Sequence, residues 1–246
     1  MFPVPPTCGP FLRLQVVVAH PDDETFGCGS LLLRAWAAGA TTSVVCATSG
    51  QAGEVAPGVT VPGGDLGALR EVELRQAARL MGVRQVELLG FDDSGMDGEP
   101  APGTLMGASF GDVVAEVTAA VDAFSPSCLL TLDASDGHRD HARIRDATVA
   151  VASARGLRVW LQCIPRSFMR RWAEHMTSVD PASPYLHLGE LGTPDELVTT
   201  VLDSHDFYER RWQAIRAHRS QTSPFEGLPE DLTRAVLEHD YLMAVP

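Results

Sequence analysis

The sequence predicts an α/β fold, a Rossmann-like three-layer sandwich with a mostly parallel sheet. Two observations carry this: apolar runs of strand length alternate with helix-length segments of three-to-four periodicity, and the most polar clusters fall just past strand ends. The runs Leu14–Ala19, Thr42–Ala47, Gln85–Leu89, Cys128–Leu132 and Val159–Ile164 lack the alternation of a half-exposed strand, so they read as strands covered on both faces. Between them, Ser30–Ala38, Leu66–Met81, Phe110–Phe124 and His141–Ala154 read as helices, with Gly39 and Gly82 as stops past two of them. Alternation of this kind implies right-handed βαβ crossovers. The Gly- and Pro-rich stretches Gly50–Gly64 and Gly90–Gly107 follow strand ends, where open α/β sheets bind ligands, and are candidate substrate loops. Pro165–Pro194 reads as irregular, Val198–Leu202 as a late strand, Phe207–His218 as a helix and Asp231–Leu242 as a last helix. One domain is expected over residues 1–246, with its core in 12–164 and the irregular and C-terminal elements in 165–246.

Composition narrows the function classes. Hydrophobic residues at 45% and charged residues at 21% of 246 are globular values, which excludes a disordered chain. A net charge of −13, with no basic run longer than Arg170-Arg171, argues against a nucleic-acid or anionic-membrane partner. No apolar run approaches the roughly 18–20 residues of a membrane span. The N-terminus carries Pro3, Pro5, Pro6 and Pro10 and does not look like a signal peptide. Five cysteines (Cys8, Cys28, Cys46, Cys128, Cys163) without a CxxC pair indicate neither a disulfide framework nor a thiolate zinc site, and read as packing in a reducing compartment. The expectation is a cytoplasmic protein, with a homo-oligomer compatible with it.

Two constellations carry chemistry. After the first strand stands Ala19-His20-Pro21-Asp22-Asp23-Glu24, polar groups that would be costly at a buried strand end without partners. One His and two carboxylates suit a divalent metal with N/O ligands; taken alone, Asp22 or Asp23 reads as a helix cap. A dinucleotide site fails here, because Gly27-Cys28-Gly29 lacks the third glycine of GxGxxG and the acids would repel a pyrophosphate. After the fourth strand stands Asp133-Ala134-Ser135-Asp136-Gly137-His138-Arg139-Asp140-His141. In a doubly wound sheet strands one and four are usually neighbours at the switch point, so both clusters meet in one crevice. His20, Asp23 and one of His138 and His141 make three ligands and leave a position open for water, as catalytic zinc sites do. Taken alone, Arg70 and Glu73 read as a surface ion pair three apart on a helix, and Asp93 as a turn residue.

These residues resemble the LmbE-like (PIG-L) zinc-dependent de-N-acetylases over most of the chain. The likeness rests on AHPDDE at Ala19–Glu24 and on His138-Arg139-Asp140-His141. It extends to Arg70 and Glu73 before Ala77–Val83, the Phe91–Met96 loop and Ala217–Gln221. The resemblance implies one zinc per chain on His20, Asp23 and His141, with iron(II) acceptable to the same donors. It makes Asp22 the general base and His138 an electrophilic or general-acid histidine oriented by Asp140. It also implies Arg70 and Asp93 as binders of substrate hydroxyls, and a small N-acetylated sugar or glycoconjugate as substrate. An amidase for a larger amide and a silent binding protein of the same fold are the alternatives. Three features depart from the family. Arg139 stands where the family usually has proline, which is expected to loosen the turn. Asp136 stands where several sugar deacetylases carry an aromatic residue, and is expected to raise the pKa of His138. The Ser49–Glu54 loop has fewer acids than relatives acting on thiol-sugar precursors.

Overall fold

Val16, Val17 and Val18 are all fully buried, and successive residues point to opposite faces of a strand, so both faces of this strand need a cover. The computed structural model, which describes residues 12–181 and 184–245, supplies it. Strands β1 (Arg13–Val18), β2 (Thr41–Thr48), β3 (Gln85–Phe91), β4 (Cys128–Leu132) and β5 (Arg158–Cys163) are parallel. β6 (Thr200–Asp203) and β7 (His239–Ala244) complete a seven-stranded sheet of order β3-β2-β1-β4-β5-β7-β6, with β7 antiparallel to both neighbours. Val16 and Val18 pack with helices α2 (Gly29–Ala37), α3 (Leu66–Leu80) and α7 (Tyr208–Ile215) through Leu32, Leu74, Ala77 and Ala214. Val17 and Ala19 pack with α4 (Phe110–Phe124) and α5 (Arg139–Arg155) through Val113, Val117, Ile144 and Val151. The order reverses between β1 and β4, which pair directly, as the switch-point argument requires.

Three expectations need correction. Arg166–Val179, expected to be irregular, is helix α6; with only Phe168 buried in it, it packs on α8 (Glu230–Leu237) through a satellite core of Phe168, Leu232 and Val236. The expected last helix stops at Leu237, and His239–Ala244 enters the sheet as β7 between β5 and β6. β3, expected to be covered on both faces, is an edge strand of partly exposed residues. Cys28, Cys46, Cys128 and Cys163 are buried, whereas Cys8 and the N-terminal prolines lie outside the described residues. No described helix is long and apolar enough to cross a membrane.

Candidate active site

Because β1 to β4 run parallel, the segments that leave their C-terminal ends share one edge of the sheet. From β1 come His20 to Glu24, leading into the short helix α1 (Asp23–Phe26). From β2 comes Gly50, from β3 Asp93 and Ser94, and from β4 the run to α5. Gly50 sits at φ 66°, and a Cβ there would come within 2.4 Å of Arg70 Nη1, so this position demands glycine.

The structure brings His20, Asp23 and His141 together. His20 Nδ1 lies 3.2 Å from His141 Nε2, Asp23 Oδ1 lies 3.2 Å from His141 Nε2, and Asp23 Oδ2 lies 3.7 Å from His20 Nδ1. Ligands 2.0–2.1 Å from a tetrahedral ion are about 3.3 Å apart, so the two 3.2 Å distances at His141 Nε2 are those of neighbouring ligands around one ion. Protonation points the same way. The far nitrogen of each imidazole meets a carboxylate: His141 Nδ1 is 2.5 Å from Asp136 Oδ2, and His20 Nε2 is 3.3 Å from Asp140 Oδ2. Each histidine thus donates outward and keeps a lone pair for the centre, the arrangement of metal-ligating histidines. Asp23 Oδ2 accepts the backbone N–H groups of Ala19 and His20, at 3.1 and 2.8 Å, which leaves Oδ1 free. The residues fit a divalent metal ion. Two neighbouring groups, His20 with His138 and His141, and His20 with Asp93 and Asp140, are also close enough to consider. The second lies on the Nε2 side of His20, which the outward hydrogen bond already occupies.

The field of the cluster calls for positive charge. Burial works against a charged His20, but hydrogen bonds to Asp140 and Asp93 outweigh it and push its pKa up to about 9. His141 is likewise pushed well up, the carboxylates of Asp23 and Asp136 overcoming burial. Asp23 and Asp93 stay well below the usual carboxylate range; burial opposes this, but His141 for the one and His20 for the other prevail.

Asp22 is different. Burial raises its pKa to about 6, although the Arg70 guanidinium, 3.0 Å away, pulls the other way. Its φ of 133° is a conformation that non-glycine residues rarely adopt, and such strain persists only where the surroundings over-determine it. They do so here. The Asp22 N–H donates to Glu24 Oε2 at 2.9 Å, and its carbonyl accepts from the N–H groups of Thr25 and Phe26. Glu24 Oε1 lies 2.7 Å from His218 Nε2, both side chains being fully buried. The buried Arg211, on α7, donates to the carbonyls of Thr25 and Phe26 at the end of α1. Arg70, expected at the substrate hydroxyls, is buried, and its terminal nitrogens reach Gly50 O, Pro21 O and Asp22 Oδ2, so in this structure it is a partner of Asp22. Nor does it pair with Glu73, which accepts from Ser220 N and Oγ, so the surface ion pair is not formed.

His138 caps α5, its Nδ1 accepting the Asp140 N–H at 3.1 Å, so its ring proton sits on Nε2. The Asp140 carboxylate faces His20 and the Ser94 N–H, at 3.3 and 3.0 Å; the expected carboxylate bond to His138 is replaced by a backbone one. Burial and the two neighbouring histidines hold the His138 pKa down to about 4, opposite to the rise expected from Asp136. Asp136 instead holds His141 and accepts the His138 N–H at 3.1 Å. Sequence reasoning missed this carboxylate–histidine contact, as it missed Arg211. The five-residue step from Asp136 to His141 across a helix cap was the available signal for the first; Arg211 had none.

Residues 15–152 match the family model PIG-L, GlcNAc-PI de-N-acetylase. Among curated proteins, 1D-myo-inositol 2-acetamido-2-deoxy-alpha-D-glucopyranoside deacetylases are similar. That of Geodermatophilus obscurus is 31% identical, over 96% of this chain and 92% of the relative. That of Mycolicibacterium vanbaalenii is 32% identical, over 86% of this chain and 81% of the relative. Among solved structures, N,N'-diacetylchitobiose deacetylase from Pyrococcus horikoshii superposes with a TM-score of 0.62 at 19% identity, covering 95% of this chain and 84% of that one. The 4-carboxy-2-hydroxymuconate hydratase of Pseudomonas putida superposes with a TM-score of 0.61 at 16% identity, covering 96% and 97%, so this fold carries more than one chemistry. With the family model matched over more than half of its length, at the residues that build both constellations, this chain belongs to the PIG-L family.

Proposed function

We propose that the protein is a zinc-dependent N-deacetylase that hydrolyses the acetamido group of a small N-acetylglucosamine-bearing compound. The observation that carries this reading is the triangle of His20 Nδ1, His141 Nε2 and the Asp23 carboxylate, with Asp22 next to it in sequence but bonded to Arg70. His20, Asp23 and His141 would hold the ion. Zinc, when bound there, supplies Lewis acidity toward the amide carbonyl and lowers the pKa of water toward about 7.

The chain's own residues divide the remaining work. The Asp22 carboxylate accepts the proton of the attacking water; with its pKa raised to about 6, it can return that proton to the leaving amine near neutral pH. Arg70 fixes its orientation. His138, neutral with its proton on Nε2, donates a hydrogen bond to the oxyanion that develops on the carbonyl, and needs no positive charge to do so. Asp140 and Asp136 keep the metal-facing lone pairs of His20 and His141 in place. Asp93 places a carboxylate beside His20 for a sugar hydroxyl. The names of the curated relatives support an inositol-linked N-acetylglucosamine as the first substrate to try, and the buried free thiols of Cys28, Cys46 and Cys163 agree with a cytoplasmic location.

Acetate release from such compounds, measured before and after chelation and zinc reconstitution, tests the reading. Turnover should vanish with the metal and return with it. Undiminished turnover by metal-free protein would refute it.

A further inference from the structure

Arg139 stands between His138 and Asp140 in the first turn of α5, where the reaction described above asks for no further cation. Its guanidinium gathers four carbonyls of one loop. Nε donates to Gly95 O at 2.8 Å, Nη1 to Gly98 O at 2.7 Å, and Nη2 to Asp97 O at 2.6 Å and to Ser94 O. Gly95 and Gly98 both have positive φ, 63° and 77°, so the loop is wound around this one side chain. The expectation that an arginine here loosens the turn is thereby reversed: a planar fork of donors ties the loop to the helix that carries His138 and His141.

The same loop reaches the site. Ser94 N–H donates to Asp140 Oδ2 at 3.0 Å, and Gly95 N–H donates to Asp93 Oδ1 at 2.8 Å. Asp93 Oδ1 is also 3.5 Å from His20 Nε2, while its Oδ2 has no hydrogen-bond partner among the described residues. With the loop carbonyls turned toward Arg139, that oxygen is an acceptor left for a ligand.

We propose that Arg139 is a positioning residue that sets substrate preference: by fixing residues 94–98 it holds Asp93 Oδ2 where a hydroxyl of a polyhydroxylated substrate meets it. This rests on the deacetylase reading. Arg139 itself touches neither Asp22 nor the three candidate ligands in any hydrogen bond, so its loss should blur hydroxyl binding while leaving the chemical step in place.

The test compares Arg139→Ala and Arg139→Lys with the unaltered chain. Three quantities are read: hydrogen exchange of the 94–98 amides, bound zinc per chain, and KM and kcat for two substrates. One substrate is an N-acetylglucosamine derivative, the other a small N-acetylated amine without hydroxyls. Arg139→Ala should speed exchange in the loop and raise KM for the sugar at least about 10-fold, the worth of one hydrogen bond to a charged group. Zinc content, kcat and the KM of the hydroxyl-free amide should hold. Arg139→Lys should recover part of the loss, since a point charge cannot serve four carbonyls at once, and it carries the test alone if the alanine variant does not fold. Unchanged exchange and KM would overturn the proposal, and so would a KM that rises equally for both substrates. If the unaltered chain releases acetate from neither, the deacetylase reading fails and the specificity role fails with it; accelerated exchange in Arg139→Ala would then show a clamp without that role.

Discussion

The two loops that build the site are held by different means. The first, His20 to Glu24, is locked from within: Asp22 is strained, Glu24 and His218 pair out of reach of water, Arg70 is buried against the Pro21 carbonyl, and Arg211 against the Thr25 and Phe26 carbonyls that follow. The second, Asp136 to His141, is held from its rim. The Asp136 side chain is 34% exposed, His138 is a helix cap, and Arg139 reaches outward to a neighbouring loop. Of the proposed site, the base and two ligands, Asp22, His20 and Asp23, sit on the first loop, and the third ligand, His141, with His138 sits on the second. A substitution at the rim of the second loop should therefore cost less than one inside the first.

The largest effects should come from the adjacent carboxylates of the locked loop. Asp23→Asn should lose metal first, since a ligand must be ionised. Asp22→Asn should keep zinc and lower kcat by roughly 10²–10⁴-fold, the usual worth of a positioned base. Zinc content and kcat for each variant decide between the roles, and loss of metal from Asp22→Asn alone would invert them. The pH profile sharpens this. A base must be deprotonated, so kcat/KM should fall as the pH drops through the Asp22 pKa; burial puts it at about 6 and a bound cation pulls it lower, so the acid limb should lie at or below that value. A limb above 7 would point to another group.

Next in size is the buried pair behind that loop. Removing one member of a buried ion pair costs about 3–5 kcal/mol, so Glu24→Ala should lower unfolding stability by that order in urea titrations. Glu24→Leu combined with His218→Phe should recover part of it, because neither member of the pair is then left buried without the other, and only the Asp22 N–H loses its acceptor. A loss below about 1 kcal/mol for Glu24→Ala would mean the first loop is not locked as described.

The sheet's parallel half was legible because β1, β2, β4 and β5 are buried along nearly their whole length, and an uninterrupted apolar run says so locally. The C-terminal part was less legible. Helix α6 buries Phe168 alone, and its apolar positions Phe168, Met169, Trp172 and Met176 carried a helical period that the flanking prolines masked. In β7 the signal was alternation: Asp240 and Leu242 are buried while Tyr241 and Met243 are not, which a helix reading of Leu237–Leu242 overlooks. Asp240 faces inward because Arg211 and Ser204 receive it, contacts from distant segments that no local pattern announces. At the site, AHPDDE and the second histidine cluster show which residues meet. Which carboxylate serves which histidine depends on ring orientation, and spacing does not encode that: Asp140 passed from His138 to His20, and Asp136 took His141.

The smallest effect should come from Asp136, and it sets the rim-held loop against the locked one. Its Oδ2 lies 2.5 Å from His141 Nδ1, so it fixes the tautomer that leaves Nε2 free and makes that nitrogen a better donor. Losing such a partner typically weakens metal binding by about 10–100-fold without removing a ligand. Asp136→Ala should therefore raise the zinc dissociation constant by that order in competition with a chelator. Asp136→Asn, which keeps an acceptor but not the charge, should do less. Folding stability should move little, within about 0.5 kcal/mol, because the side chain is partly solvated and its removal leaves His141 access to water. If Asp136→Ala binds zinc as tightly as the unaltered chain, His141 owes its orientation to the helix alone. If it instead destabilises the fold as much as Glu24→Ala does, the two loops are held alike and the contrast drawn between them fails.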